Sequence, residues 1–379
     1  MTRVYLDHAA STPMIPAALQ TLLELSGQVG NSASLHGSGR AARRVVEESR
    51  EQVAAALGAH PTEVIFTSGG TESDNLAIKG MAWAARAADP ARNRVVVSAV
   101  EHHAILDPAH WLHSAQGFEV DEIPVDGDGR PDIHMPFLGP DVAVASLMWA
   151  NNETGTLQPI EDLVDAARTT GVLTHSDAVQ AVGSVPVDFG ASGLDALTVS
   201  GHKLGGPIGV GALLARRGLA LTELAHGGAQ ERARSGTMNA PAIGAFAVAV
   251  EAAVADQSTF AARVGALRDH LVAGILASVP DATLNGGSDR LPTHANITFP
   301  GCGSDDLLML LDASGVEVST GSACTAGVPQ PSHVLLAMGR SESDASSSLR
   351  FSLGRTTRAD DIERAVAAAA DAVRRLRHQ

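Results

Sequence analysis

Lysine is almost absent from this chain of 379 residues: Lys79 and Lys203 stand against 25 arginines. Where most positive positions accept arginine, a surviving lysine marks chemistry that a guanidinium cannot perform. The main such chemistry is proton loss to give a nucleophilic amine. Lys79 follows the apolar run Leu76-Ala77-Ile78 and reads as a surface residue at a helix end, whereas Lys203 needs another account. Cysteine is as scarce. Cys302 and Cys324 cannot build a disulfide framework and do not form a CxxC pair. Positive charge is outweighed, with 27 Lys+Arg against 42 Asp+Glu and a net charge of −15. That balance argues against nucleic acid and anionic membranes as partners. No apolar run reaches the ~18 residues of a membrane-spanning helix, and the start MTRVYLDHAA does not read as a signal peptide. The expectation is a soluble, cytoplasmic protein.

What is present is an α/β pattern. Residues 40–57 place Val45, Val46, Val53 and Leu57 on one helical face and Arg43, Glu47, Arg50 and Glu51 on the other. Short apolar runs at 64–67, 94–99, 142–150, 172–175, 196–200 and 210–216 read as strands, with helices at 72–88, 104–116 and 160–170 between them. Such alternation implies a sheet covered on both faces. After Pro241 one long Ala/Val-rich helix is expected to about Ser278. A smaller unit follows, with strands at 296–299, 316–319 and 349–353, a helix at 305–313 and a last helix from Arg358. We expect a large α/β domain over residues 15–255. A smaller α+β domain over 256–379 would include the N-terminal segment 1–14.

Four clusters fall just after expected strands, where open α/β sheets place their ligands. Thr67-Ser68-Gly69-Gly70-Thr71-Glu72 runs into a helix whose amide end suits an anion, although an ordinary capped turn reads the same way. Ser200-Gly201-His202-Lys203 flanks the rare lysine with phosphate-capable side chains. His175-Ser176-Asp177 with Gln180 offers a carboxylate for a protonated ring nitrogen, although a mere helix cap reads the same way. Glu101-His102-His103 is the fourth. A phosphate cradle, an amine, a carboxylate and an imidazole are what pyridoxal phosphate requires. The same histidines and aspartate leave a metal site open, but no pair has i, i+4 spacing on a helix. Cys324 sits in the small-residue run Ser319-Thr320-Gly321-Ser322-Ala323-Cys324-Thr325, which reads as an exposed loop and makes it a candidate nucleophile. Cys302, in Gly301-Cys302-Gly303, reads as structural.

In order along the chain, several motifs resemble the cysteine desulfurases, pyridoxal-phosphate enzymes of fold-type I. They are Tyr5-Leu6-Asp7-His8-Ala9-Ala10, Thr67-Ser68-Gly69-Gly70-Thr71-Glu72-Ser73-Asp74-Asn75, Asn151-Asn152-Glu153-Thr154-Gly155, Ser200-Gly201-His202-Lys203, Arg234-Ser235-Gly236-Thr237, Gly321-Ser322-Ala323-Cys324-Thr325 and Leu349-Arg350-Phe351-Ser352. The resemblance covers nearly the whole chain and implies a mainly parallel seven-stranded sheet in the large domain. It implies Lys203 as the Schiff-base lysine and Gly70, Thr71, Ser200 and His202 around the phosphate. Thr237 would reach the phosphate of a neighbouring subunit's cofactor, which implies a homodimer. His102 would stack on the ring, Asp177 would pair with its nitrogen and Gln180 would contact its phenolic oxygen. Asn152 and Arg350 would orient the substrate, with Arg350 clamping its carboxylate.

The implied reaction converts L-cysteine to L-alanine. The Lys203 amine removes the Cα proton, which needs its pKa lowered from ~10.4 toward neutrality. Cys324 takes the sulfur as a persulfide and hands it to an acceptor protein, an iron–sulfur scaffold or a thiolation enzyme. Whether Cys324 also lends a ligand to a nascent cluster is left open, and no resident metal is expected. Relatives that feed a scaffold often carry a further C-terminal tail. This chain stops at Gln379 after the last expected helix, so docking through such a tail is not expected. The competing reading is an aminotransferase or lyase on the same scaffold, which gives Cys324 no role.

Overall fold

The computed structural model describes residues 3–133, 137–321 and 330–378, so Cys324 lies outside the described residues. At its centre is a seven-stranded sheet in the order Val64–Thr67, Gly211–Ala215, Ala196–Ser200, Leu173–Asp177, Val142–Ser146, Arg94–Ser98, Glu119–Ile123. All neighbours are parallel except Gly211–Ala215, which runs antiparallel to both of its own. The central strands are buried along almost their whole length because helices cover both faces. Alternation divides them: Val96 and Leu197 face one core with Val53 and Phe246, and Val95 and Val97 face the other with Met81 and Ile105. The first core is closed by helices Gly37–Ala56 and Ala240–Ala255, the second by Gly70–Ala88 and His103–Gln116.

A separate core gathers Leu6, Phe260, Val264, Ile297, Phe299, Cys302, Phe351 and Ile362. Its antiparallel sheet has the order Ser348–Ser352, His294–Thr298, Thr283–Asn285, packed beside helices Gln257–Ser278 and Ala359–Arg377. The N-terminal strand Val4–Tyr5 joins it by pairing in parallel with Val316–Glu317. This brings Asp7 and the carbonyls of Ala9 and Ala10 back to the edge of the large sheet.

Several expectations are corrected. The long helix after Pro241 is two helices, Ala240–Ala255 and Gln257–Ser278, bent by 71°. The break falls at Asp256, whose carboxylate is held by Arg355 Nη1 at 2.5 Å. The strand expected over 142–150 ends as a ladder at Ser146, although Leu147 and Trp149 still donate to the carbonyls of His175 and Asp177. Lys79 is not at a helix end. It lies in the middle of Gly70–Ala88, half-buried, with Nζ 4.8 Å from the centre of the Trp111 ring. The helix Pro16–Ser26 and the edge strand Glu119–Ile123 had no expectation; the charges of the latter suit an exposed edge and mask its period. Among the described residues no single helix is long and apolar enough to cross a membrane.

Candidate active site

The strand ends of the large sheet and the N-terminal segment enclose a cavity of about 410 Å³. Gly70, Thr71, Ser200, His202 and Lys203 line one side. His102, Asn152, Asp177, Gln180 and Arg350 line the rest, joined by Ser319 and Gly321 at the start of the segment that carries Cys324. Ten residues singled out from the sequence are thus brought together. Thr237 is not among the lining residues of its own chain and is exposed, and Cys324 lies outside the described residues.

Each side chain is placed by a strand end or a cap. Strand Val64–Thr67 turns at Gly69, with φ +149°, into the long helix that begins at Gly70. The turn therefore presents amides and the positive end of a helix dipole to the cavity. Strand Ala196–Ser200 leads into one tight turn, Gly201–Lys203, which sets Ser200, His202 and Lys203 on the same wall. Ser200 Oγ is buried with no hydrogen-bond partner among the described residues. Lys203 Nζ donates to the carbonyls of Ala9 at 2.5 Å and Ala10 at 2.9 Å. Burial and then the Arg350 charge lower its pKa to about 8, against the pull of Asp177 and Asp7.

Asp177 ends strand Leu173–Asp177, and its Oδ1 accepts from the Val179 amide at 2.8 Å. Burial raises its pKa to about 6, partly offset by that amide and by Lys203. Such a carboxylate lacks a cationic partner strong enough to hold it fully charged. His102 caps helix His103–Gln116, with Nδ1 accepting from the Ala104 amide at 3.1 Å. Its neutral form therefore carries the proton on Nε2. Surrounding protein, and then the Lys203 charge, lower its pKa to about 4. His202 is lowered to about 4 by the same two causes. Gln180 Nε2 donates to the Ala9 carbonyl at 2.9 Å. Arg350, on the strand Ser348–Ser352, donates from Nη1 to the Asn152 carbonyl at 3.0 Å and from Nη2 to Asp7 Oδ1 at 2.8 Å.

Buried carboxylates behind this wall were quoted only within motifs. Asp74 lines the cavity, and its Oδ1 has no hydrogen-bond partner among the described residues and stands 3.8 Å from His175 Nε2; burial and then Asp177 push its pKa well up. Glu101 Oε1 accepts from the Met148 amide at 2.6 Å, and burial likewise raises its pKa well above the usual range. The signal for Asp74 was its place on the apolar stripe with Ala77, Ile78 and Met81. The third strand-end cluster also contained His175, which is fully buried, lies between Ser146 Oγ and Thr198 Oγ1 at 3.0 Å each, and does not line the cavity.

The donor set fits pyridoxal 5′-phosphate. An anion end is supplied by the helix start, the unpartnered Ser200 hydroxyl and His202. A Cβ on Gly70 would stand 3.1 Å from Val179 Cγ2, so any larger residue would crowd this approach. A lysine with a lowered pKa and a carboxylate short of a cation complete the set. Among the described residues no three His, Cys, Asp or Glu converge as a metal site.

Comparison with known proteins agrees with this chemistry. The family model for class-V aminotransferases matches residues 4–365. An IscS-like cysteine desulfurase of Mycobacterium tuberculosis (strain ATCC 25618 / H37Rv) is 52% identical, over 98% of this chain and 97% of that protein. The solved structure of a NifS-like protein superposes with a TM-score of 0.91 at 33% identity, covering 98% of this chain and 99% of its own. SspA, solved in complex with cysteine, superposes with a TM-score of 0.80 at 32% identity, covering 93% and 99%. Fold, donor set and full-length identity converge, and the chain belongs to the cysteine desulfurases, pyridoxal-phosphate enzymes within the class-V aminotransferase family.

Proposed function

We propose that this cavity takes sulfur from L-cysteine onto Cys324, releases L-alanine, and serves a sulfur-acceptor protein of iron–sulfur cluster assembly or of a thiolation pathway. The observation that carries the reading is one arrangement. A lysine with a lowered pKa, a buried arginine fork and the first residues of the Cys324 segment share the wall of a single cavity.

Pyridoxal 5′-phosphate, when bound through Lys203, supplies an electron sink that weakens the bonds around the substrate Cα. Gly70, Thr71, Ser200 and His202 would hold its phosphate, Gln180 its phenolic oxygen and Asp177 its ring nitrogen, with His102 over its face. The protein's own residues do the rest. Arg350 and Asn152 orient L-cysteine by its carboxylate. The Lys203 amine, near pKa 8, moves the Cα proton with little driving force wasted at neutral pH. His102 stays neutral there and holds its proton at Nε2, available to the substrate side of the cavity. The Cys324 thiolate forms a bond to the substrate sulfur as the Cβ–S bond breaks, which leaves a persulfide on Cys324 and, after proton return, L-alanine.

The exposure of Thr237 and its absence from the lining of its own chain's cavity support a homodimer in which it completes the partner's site. The net charge of −15 supports a protein acceptor rather than nucleic acid. The test is release of alanine and sulfide from L-cysteine, with a thiol reductant, by protein reconstituted with the cofactor. Matched yields are expected. Cys324→Ala should keep the bound cofactor and its spectral response to L-cysteine yet form no persulfide; sulfide release at the parent rate by that variant would overturn the nucleophile assignment.

A further inference from the structure

Asp74 has no part in the chemistry described so far, yet it is a buried carboxyl on the wall of the same cavity. It stands four residues after Gly70 and three after Thr71 on helix Gly70–Ala88, and so on the helical face that these two share. Further along that helix, Ala77, Ile78 and Met81 pack on the sheet. The sheet surface beneath carries a polar line. His175 and Asp177 lie two residues apart on one strand and therefore share a face. Ser146 and Thr198 are the register partners of His175 and Asp177 on the strands to either side. His175 is held between Ser146 Oγ and Thr198 Oγ1 at 3.0 Å each, and its Nε2 is 3.8 Å from Asp74 Oδ1. The helix thus sets Asp74 over the end of the polar line that reaches the cavity.

Three buried carboxyls, Asp74, Asp177 and Glu101, gather here with little positive charge. Burial and then Asp177 raise the pKa of Asp74, the Thr198 hydroxyl opposes the rise, and Glu101 adds to it. His175 brings no charge, because burial lowers its pKa to about 3. Among the described residues no arginine or lysine forms an ion pair with Asp74. Glu101 is placed differently: its Oε1 accepts from the Met148 amide, and it does not line the cavity. Asp74 does line it, and its Oδ1 is buried with no hydrogen-bond partner among the described residues. A buried carboxyl so placed keeps its own proton or needs a positive charge brought to it. In cofactor-free protein it keeps the proton. The protonated ring nitrogen that faces Asp177 is the positive charge this cavity would receive.

We propose that Asp74 is a positioning residue for the proton on the cofactor's ring nitrogen, adding to Asp177 a second negative charge that holds the proton there. The inference rests on Asp177 being the carboxylate at that nitrogen. It deepens that reading, since one carboxylate is replaced by a pair that shares a single cation.

The experiment compares the parent holoenzyme with Asp74→Asn and Asp177→Asn, each loaded with cofactor labelled with 15N at the ring nitrogen. The 15N chemical shift, followed over the pH range in which the protein stays folded, reports where that nitrogen loses its proton. Asparagine keeps the volume and both polar atoms of Asp74, so a merely structural role would leave the titration unmoved. The charge role predicts a midpoint lower by about one pH unit in Asp74→Asn, a tenfold loss of proton affinity, and a larger shift in Asp177→Asn. Cofactor affinity, read by equilibrium dialysis, should fall in Asp74→Asn by up to the same factor. An unmoved midpoint in Asp74→Asn would overturn the proposal, whether or not cofactor affinity falls, because Asp74 would then act on the shape of the cavity alone. If Asp74→Asn fails to fold, Asp74→Ser removes the same charge and carries the same test. An unmoved midpoint in Asp177→Asn would sink the assignment of Asp177 instead. A shift in Asp74→Asn would even then uphold Asp74 as a charge acting on the nitrogen, and its absence would overturn that too.

Discussion

Arg350 Nη2 donates to Asp7 Oδ1 at 2.8 Å, so the guanidinium assigned to the substrate carboxylate is already engaged by a carboxylate of the N-terminal segment. Its Nη1 is fixed on the Asn152 carbonyl at 3.0 Å, and Nε is buried without a partner among the described residues. Two anchors hold the plane of the fork while a strong donor is left over. The N-terminal segment thus contributes orientation to the site from residues distant in sequence.

That arrangement makes the fork, and not only the charge, the working feature. A carboxylate binds a guanidinium through parallel N–H bonds that a lysine cannot reproduce. A charge-assisted hydrogen bond contributes about 1.5–3 kcal/mol. Arg350→Lys should therefore raise KM for L-cysteine by roughly 10- to 100-fold, with the cofactor still bound. Steady-state kinetics on the reconstituted variant checks this. An unchanged KM would place the substrate carboxylate elsewhere.

Lys203 gives a prediction about pH. Its pKa is lowered to about 8, first by burial and then by Arg350, so the neutral amine dominates above that pH and is scarce below it. The rate at which cofactor-free protein captures pyridoxal phosphate covalently should rise through pH 8 and then level. An unperturbed lysine would keep rising toward ~10.4. Rapid-mixing absorbance over this range distinguishes the two. Lys203→Ala should lose both covalent capture and turnover.

The fold was largely legible because its signals are local. Apolar runs of strand length, each followed by small or hydroxylated residues, place Thr67, Asp177 and Ser200 at strand ends and hence at one rim. What escaped the sequence depends on packing. The Glu119–Ile123 strand is recognisable only as the partner of Arg94–Ser98, and the bend at Asp256 depends on Arg355, about a hundred residues away in sequence. The site shows the same division. The lysine and the strand-end motifs were visible as types, but the pairing of Asp7 with Arg350 joins the two ends of the chain and had no local signature. Glu153 was legible as part of a motif, and the hydrogen bond it accepts from Ser332 was not.

Asp177 predicts opposed effects on stability and cofactor retention. Its folded pKa, raised by burial to about 6, exceeds the ~3.9 of an unfolded chain. A carboxyl shifted this way contributes stability below the unfolded value and loses it as pH rises through the folded one. In cofactor-free protein, stability from this group should thus fall between about pH 4 and pH 6. Asp177→Asn removes the charge and should stabilise that form at neutral pH by on the order of 2 kcal/mol. The same variant should hold the cofactor more weakly. Thermal melts with and without cofactor test both halves, and a destabilised cofactor-free variant would contradict the assigned cost of burial.

Gly69 predicts an effect confined to the anion end of the cavity. Its φ of +149° and ψ of −174° lie in a region open essentially to glycine alone. Among the described residues no atom lies within 4 Å of a Cβ built there, so Gly69→Ala suffers from backbone conformation and not from crowding. The cost is about 1–3 kcal/mol. Relief of that strain would turn the start of helix Gly70–Ala88 and move the amides that face the phosphate. Gly117, with φ +68° and equally open space, ends helix His103–Gln116 and does not line the cavity. Gly117→Ala should therefore lower the melting temperature without changing cofactor affinity, whereas Gly69→Ala should lower both. Equal cofactor affinity in the two variants would mean that the turn at Gly69 shapes the fold but not the phosphate site.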